Sequence, residues 1–282
     1  MRSKRIVHTP VLLHEVLEGL DLKTEGSYID ATGGEGGHLK EIAKKVKQAL
    51  GIERNKEQLA RIQELELTNV VLEKGNFAEI EKIAKKHGFE NIDGILFDLG
   101  LSFWELVHLK KGFSYKKDEE NLDMTLDETG QEKASDILNK YSKEELYEMF
   151  SRNAEEPKSE KIAEEVVRQR REGKFVNVSD LKRAIDSVFG AEDRRVYSRI
   201  FQALRMQVNN EKENLEKGLE GAVKILKIGG RLVVISFHSV EDRIVKKIMK
   251  KNNMELITKR ISRYDDMSFE RSATLRVAVK KI

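Results

Sequence analysis

From Tyr28 to His38 the chain reads Tyr-Ile-Asp-Ala-Thr-Gly-Gly-Glu-Gly-Gly-His, a short β-prone run, an acid, then four glycines in five positions. A helix-forming stretch, Leu39 to Val46, follows at once. The order is strand, tight turn, helix N-terminus. Glycine lets the backbone turn sharply and lets a ligand approach with no Cβ in the way. The free N–H groups that open a helix suit an anionic group.

Spacing narrows the ligand. A dinucleotide fingerprint, G-x-G-x-x-G, needs glycine or alanine three places after its second glycine. Counted from Gly34 and Gly36 that place is Leu39, and counted from Gly33 the second glycine would be Glu35, so both registers fail. The pattern that fits is Asp30-x-Thr32-x-Gly34-x-Gly36. It resembles the first motif of class I S-adenosylmethionine (SAM) methyltransferases, with Thr32 in place of the first glycine. SAM has no pyrophosphate; it offers a carboxylate, an amine and a sulfonium. An aspartate at the strand end suits the cation, and backbone N–H groups suit the carboxylate.

The rest of the chain supplies the α/β rhythm. Thr9-Pro10 reads as N-cap and first helical residue, and Val11, Leu12, Val16, Leu17 and Leu20 recur with helical spacing. Residues 49–53 read as a second strand ending in Glu53, an acid about 20 residues past the glycine loop, where a ribose diol needs one. A charged helix over 55–66, a strand over 70–74, Gly75-Asn76-Phe77 and a helix over 78–87 follow. Residues 92–98 form a largely apolar strand, as in a parallel sheet covered on both faces, and it ends in Asp98-Leu-Gly-Leu-Ser102. Asp30, Glu53, Phe77 and Asp98 therefore fall on one edge, beyond the carboxyl ends of the strands, where open α/β sheets bind ligands.

The pattern changes after Ser102. Residues 103–130 lack periodicity and mix aromatics with lysines, and 131–190 read as helices only. This predicts an α/β domain over 1–112 and 196–282 with an all-helical substrate-recognition insertion over 113–195. The rhythm resumes with one long helix over about 196–227, a break at Gly229-Gly230, a strand over 231–237, a helix capped by Ser239 in Ser239-Val-Glu-Asp242, and a closing strand pair over 255–261 and 274–280.

Composition excludes several function classes. There is no cysteine, hence no disulfide, cysteine nucleophile or thiolate metal site, which fits a cytoplasmic protein. No apolar run approaches the roughly 20 residues of a membrane span. Net charge is only +3, so RNA would have to be met by local clusters. Those available are Lys110, Lys111, Lys116 and Lys117 with Phe113 and Tyr115, then Arg168, Arg170 and Arg171, then Arg194, Arg195 and Arg199. The histidines show no metal-ligand spacing, and no metal is expected.

Several segments together resemble one family, the bacterial 16S ribosomal RNA cytosine-N4 methyltransferases (RsmH, formerly MraW). They are His8 to Leu13, Asp30 to His38, Asp93 to Gly100, Gly112-Phe113-Ser114, Leu122-Asp123-Met124, Phe201 to Arg205, Val208-Asn209, Ile235 to Lys246 and Arg271 to Arg276. The resemblance spans nearly the whole chain in the family's order. It implies a class I methyltransferase sheet with an inserted helical domain, SAM as cofactor, and 16S rRNA in the decoding region of the small subunit as partner. It implies no membrane and a monomer or homodimer. Gly36, Gly37, His38, Glu53, Phe77 and Asp98 would line the SAM site with Asp30 and Gly34, and so would Glu105, which stands where the family has a glutamine. The chain departs from the family in Glu53 for Asp, in Phe103 for a second serine, in Asn121 to Leu126 for Pro-Leu-Asp-Met-Arg-Met, and in Arg195 to Arg199, which lacks the usual His-Pro.

Cytosine N4 is a poor nucleophile because its lone pair is delocalised into the ring. Methyl transfer to it needs in-line positioning and an acceptor for its proton. Asp98, Asp123 and His238 are the catalytic candidates. Asp98 has two readings, proton acceptor or holder of the donor's adenine side or methionine amine. His238 likewise reads as a general base or as the polar residue before a helix cap. Ser102, Lys111, Phe113, Arg205 and Asn209 are the candidates for meeting RNA. Asp98-Leu-Gly-Leu-Ser has no prolines, unlike the Asp/Asn-Pro-Pro-aromatic motif of DNA amino-methyltransferases. A ribosome-assembly factor that kept the fold without the activity is the alternative, and an NAD-dependent oxidoreductase is disfavoured by Leu39.

Overall fold

The computed structural model describes residues 10–126, 132–258 and 273–281. The chain forms two compact units, Met1–Phe103 with Lys212–Ile282, and Trp104–Glu211.

The first unit is built on strands β1 (Ser27–Asp30), β2 (Gln48–Glu53), β3 (Val70–Lys74), β4 (Ile92–Asp98), β5 (Leu226–Ser236), β6 (Glu255–Leu256) and β7 (Thr274–Val279). Among the described residues they make one sheet in the order β3-β2-β1-β4-β5-β7-β6. The five strands from β3 to β5 run parallel, and β7 is antiparallel to both its neighbours. This is the class I methyltransferase sheet. The order reverses between β1 and β4, and that switch point is where open α/β sheets form a ligand crevice.

Strand periodicity divides the core between two faces. Ile95, Phe97 and Val234 pack with α4 (Ile80–Lys86), α11 (Glu211–Ile225) and α12 (Ser239–Lys251), through Ile80, Ile83, Leu219, Val245 and Ile248. Leu96, Val233 and Ile235 pack on the other face with Val16 and Leu20 of α1 (Leu13–Leu20) and Leu39 and Ile42 of α2 (Gly37–Ala43). α1 lies close on the sheet because Gly19 has no side chain: a Cβ there would stand 2.8 Å from Val277 Cγ2. α3 (Lys56–Gln63) is capped by Asn55, whose Oδ1 accepts from Glu57 N at 2.9 Å.

The second unit contains α5 (Phe103–His108) from Trp104 onward, α6 (Ala134–Lys140), α7 (Lys143–Ala154), α8 (Ser159–Gln169), α9 (Val178–Phe189) and α10 (Arg194–Val208). Its core is the apolar residues at helical spacing, among them Ile137, Leu146, Phe150, Ile162, Val166, Leu181, Ile185 and Ile200, all buried.

Four local expectations change. The first helix begins at Leu13, not at Pro10, and Leu12 before it is left-handed with φ 51°; Thr9 and the distal part of the 255–261 strand, 259–261, lie outside the described residues. The single helix over 196–227 is two helices, α10 and α11, parted at Asn209-Asn210, where Asn210 takes φ 50°. α10 packs with the helical unit, with Asn153 Nδ2 donating to Ala203 O at 3.4 Å, so the units divide near 103 and 211 rather than at 113 and 195. Gly229-Gly230 does not precede the fifth strand but lies within it, as a bulge against β4: Ile92 pairs with Leu226 and Gly94 with Arg231. Among the described residues no helix is long and apolar enough to cross a membrane.

Candidate active site

Asp30, Glu53 and Asp98 end three adjacent parallel strands. Asp30 is in register with Gly51 and Leu96, so Glu53 and Asp98 each reach two residues further along the same rim. Thr32 ties two of these ends together. Its Oγ1 accepts from Asp98 N at 2.7 Å and donates to Asp30 Oδ1 at 3.4 Å, while its own N–H donates to Asp30 Oδ1 at 3.1 Å. The threonine in the place of a motif glycine thus fastens β1 to β4 at the switch point.

The glycine loop turns through left-handed backbone at Gly34 (φ 53°) and Gly36 (φ 80°). A Cβ on Gly36 would stand 2.8 Å from Leu65 Cδ1, and one on Gly37 2.6 Å from Pro10 Cγ. Glu53, buried, holds the loop from below: its Oε2 accepts from Gly34 N and its Oε1 from Asn55 N, both at 2.7 Å. Phe77 opens a 3₁₀ turn after β3 and meets Phe97 edge-on at 5.6 Å. Gly218 gives it room, since a Cβ there would lie 2.7 Å from Phe77 Cδ2.

The charges around Asp98 are unusual. The buried His38 ring sets its Nε2 at 3.0 Å from Val11 O; a carbonyl only accepts, so Nε2 carries the proton and Nδ1 is bare. Nδ1 faces Asp98 Oδ2 at 3.6 Å. Burial pulls the His38 pKa down to about 4, so the ring is neutral at neutral pH. Burial, with Asp30 and Glu241 adding negative charge, pushes Asp98 up to about 8. Burial also lifts Asp30 to about 6, against the hydrogen bonds from Thr32. The Asp98 side chain keeps 25 % of its surface, yet its Oδ1 is enclosed and, among the described residues, has no hydrogen-bond partner. A rim with crowded acids, a neutral histidine and an unsatisfied carboxyl oxygen suits a cationic ligand with its own N–H donors, which is what the sulfonium and amine of SAM provide.

α12 is capped by His238, not by Ser239. His238 Nδ1 accepts from Glu241 N at 3.3 Å, and Glu241 Oε2 accepts from Phe237 N at 2.8 Å. Its Nε2 lies 3.1 Å from Glu241 Oε1 but outside hydrogen-bond geometry. Capping occupies the nitrogen that a general base would otherwise present.

The model of the MraW methylase family matches residues 5–281 of this chain. The chain belongs to the MraW methylase family. It is accordingly a SAM-dependent methyltransferase. It is 37 % identical over 294 residues to a ribosomal RNA small subunit methyltransferase H of Dictyoglomus thermophilum, covering all of this chain (100 %) and 99 % of that one. With the protein of the same name from Carboxydothermus hydrogenoformans it shares 39 % over 251 residues, 86 % of this chain and 80 % of that one. Among solved structures, an rRNA methylase of Streptococcus thermophilus is similar at a TM-score of 0.49 and 10 % identity, over 96 % of each chain.

In this methylase the remaining sequence candidates lie in or next to the second unit. Ser102, partly buried, immediately precedes α5, and Glu105 is buried within α5. Asp123 Oδ1 accepts from Thr125 N at 3.0 Å and from the Thr125 hydroxyl, and its Oδ2 pairs with Lys133 Nζ at 3.2 Å. Burial would raise this carboxyl, but the Thr125 bonds and the Lys133 and Lys111 ammonium groups outweigh it and hold the pKa below the usual aspartate range. Asp123 is therefore a weak base.

Several expected RNA contacts have internal work. Lys111 Nζ donates to Thr125 O and Oγ1, each at 3.0 Å, and Phe113 is buried. Arg205 makes a forked pair with Glu211 at 2.8 and 3.0 Å. Asn209 is fully buried (0 %); its Oδ1 accepts from Leu126 N at 2.9 Å and its Nδ2 donates to Met124 O at 2.8 Å and Arg205 O at 2.9 Å. Arg168 pairs with Glu165 and Glu172, and Arg170 donates to Leu138 O and Tyr141 O. Sequence reasoning missed Thr32 as a strand tie and His238 as a cap. A threonine in a glycine position and a Glu three places after a histidine were the available signals.

Proposed function

We propose that this methylase transfers the methyl group of SAM to the exocyclic N4 of a cytidine in the decoding region of 16S rRNA, acting on the small ribosomal subunit. The small-subunit rRNA assignment is supported by the name its relatives carry; the cytosine assignment is supported by the resemblance in Leu122-Asp123-Met124, Phe201 to Arg205 and Ile235 to Lys246. The observation that carries the donor site is Asp98 Oδ1, enclosed and unpartnered among the described residues, at the switch point beside Asp30.

In this reading Gly34, Gly36, Gly37 and His38 form the wall against the donor's methionine part. Asp30 and Asp98 face its positive charge, Glu53 receives the ribose hydroxyls and Phe77 flanks the adenine. When bound, SAM supplies an electrophilic methyl on a positive sulfur. Asp98 is the better proton acceptor of the two aspartates, because its surroundings favour the protonated form whereas those of Asp123 oppose it. Asp123, Lys111 and Asn209 shape the 121–126 loop rather than meet the reacting atoms.

The test is transfer of labelled methyl from SAM to small subunits lacking the modification, followed by digestion to nucleosides. The label is expected in N4-methylcytidine. Label in any other nucleoside refutes the base assignment, and absence of label with SAM bound favours the assembly-factor alternative.

A further inference from the structure

Asp98 sits in a position whose chemistry extends past holding a ligand. Among the described residues, the titratable groups that face it come from three elements: Asp30 at the end of β1, His38 on α2 and Glu241 on α12. Two are carboxyls and the third is a ring whose proton is already committed to Val11 O. Among the described residues, an ionised Asp98 would meet only like charge and a nitrogen lone pair at 3.6 Å. A protonated Asp98 instead offers an O–H toward that lone pair. A cation placed against Asp98 reverses the preference.

We infer that His38 and Asp98 form a proton-holding pair that senses the charge on the donor's sulfur, so that SAM binding expels a proton from Asp98 and the neutral-sulfur product, S-adenosylhomocysteine, does not. The inference rests on the donor site proposed above. The balance closes over one turnover. A proton leaves Asp98 for solvent as the cation arrives. Methyl transfer then breaks the S–CH3 bond, leaving its electron pair on a neutral sulfur, and forms N4–CH3. Asp98, having lost its cationic neighbour, takes the proton that N4 gives up. The acceptor thus becomes basic at the moment a proton must be received. The same change lowers the attraction for the product, which helps its release.

This makes His38 a positioning residue and sets a readout that simple packing would not move. Calorimetric titration of the full chain near pH 7, in buffers of differing ionisation heat, counts protons released per ligand. SAM is expected to release a large fraction of one proton, S-adenosylhomocysteine close to none, and sinefungin, which carries an ammonium in place of the sulfonium, an amount like SAM. SAM affinity is expected to rise with pH below about 8, by at most tenfold per pH unit for one linked proton, with a flat profile for the product. Asp98→Asn should bind with no proton release for either ligand, and His38→Gln, whose amide N–H can hydrogen-bond an ionised Asp98, should bind SAM with reduced release. Equal release for SAM and its product in the wild-type chain overturns the inference, because the shared ammonium would then be the group beside Asp98. Binding of both with no release overturns it too. No binding of either ligand overturns the donor site itself, and the inference with it.

Discussion

Changing Asn209 to aspartate alters one terminal group in the helical unit, yet its consequences separate a structural clamp from an RNA contact. Asn209 is wholly buried and joins α10 to the 121–126 loop through Leu126 N and Met124 O. Met124 holds a left-handed φ of 57°, a strained conformation for a side-chain-bearing residue, and its carbonyl is one of the groups Asn209 binds. In Asn209→Asp the donor is lost and an anionic oxygen faces the carbonyls of Met124 and Arg205. In Asn209→Ala both loop groups are left buried without partners. At ~1–3 kcal/mol for each of the two buried groups left unsatisfied, the alanine variant should lose about 2–6 kcal/mol. For a chain of this size that corresponds to a fall of roughly 3–10 °C in melting temperature. Aspartate should cost at least as much despite its matching shape. The assay is thermal unfolding of purified wild type and both variants, with rRNA binding at two salt concentrations on whatever remains folded. Unchanged melting of Asn209→Asp with weakened RNA binding would refute the clamp and return Asn209 to the RNA surface.

Other consequences are as direct. Thr32→Val keeps the side-chain shape but removes the acceptor for Asp98 N, so it should cost ~1–3 kcal/mol in denaturant unfolding and weaken SAM binding. Gly36→Ala forces φ 80° on a residue with a Cβ and drives that Cβ against Leu65; a loss of ~1–2 kcal/mol is expected, with reduced SAM affinity by calorimetry. The ligand-free protein should lose stability between pH 6.5 and 8. Asp98 is ionised above about 3.8 when unfolded but holds its proton to about 8 when folded, so its contribution is lost as pH rises through that range. His38 acts oppositely, adding stability as pH rises from about 4 to 6.5, while Asp30, raised to about 6, loses stability over nearly the same range and offsets it. Denaturant melts at pH 6.5 and 8 should show the drop in wild type and not in Asp98→Asn.

Strands β1 to β4 were readable from residues because each is an apolar run closed by glycine or an acid, and β4 because burial on both faces removes the need for alternation. Glu53 and Asp98 could be assigned to one rim from strand ends alone. The division at Asn209-Asn210 was hidden: leucines on either side keep a helical period through it, and the deciding feature is the left-handed Asn210, which asparagine tolerates. The His238 cap was misread by one residue because Ser239 is the commoner capping type, whereas an imidazole nitrogen can accept as well as a hydroxyl. Lys111, Phe113 and Asn209 show a deeper ambiguity. A lysine, an aromatic and an amide in a loop suit RNA and suit an internal clamp equally, and only the three-dimensional partners of this loop distinguish the two.

A crystal structure of the chain with SAM bound addresses the main claim without intermediaries. The donor should lie across the ends of β2, β1 and β4, with its positive sulfur and amine toward Asp98 and Asp30 and its ribose hydroxyls on Glu53. A donor bound elsewhere, or one whose charge faces away from both aspartates, would contradict the account.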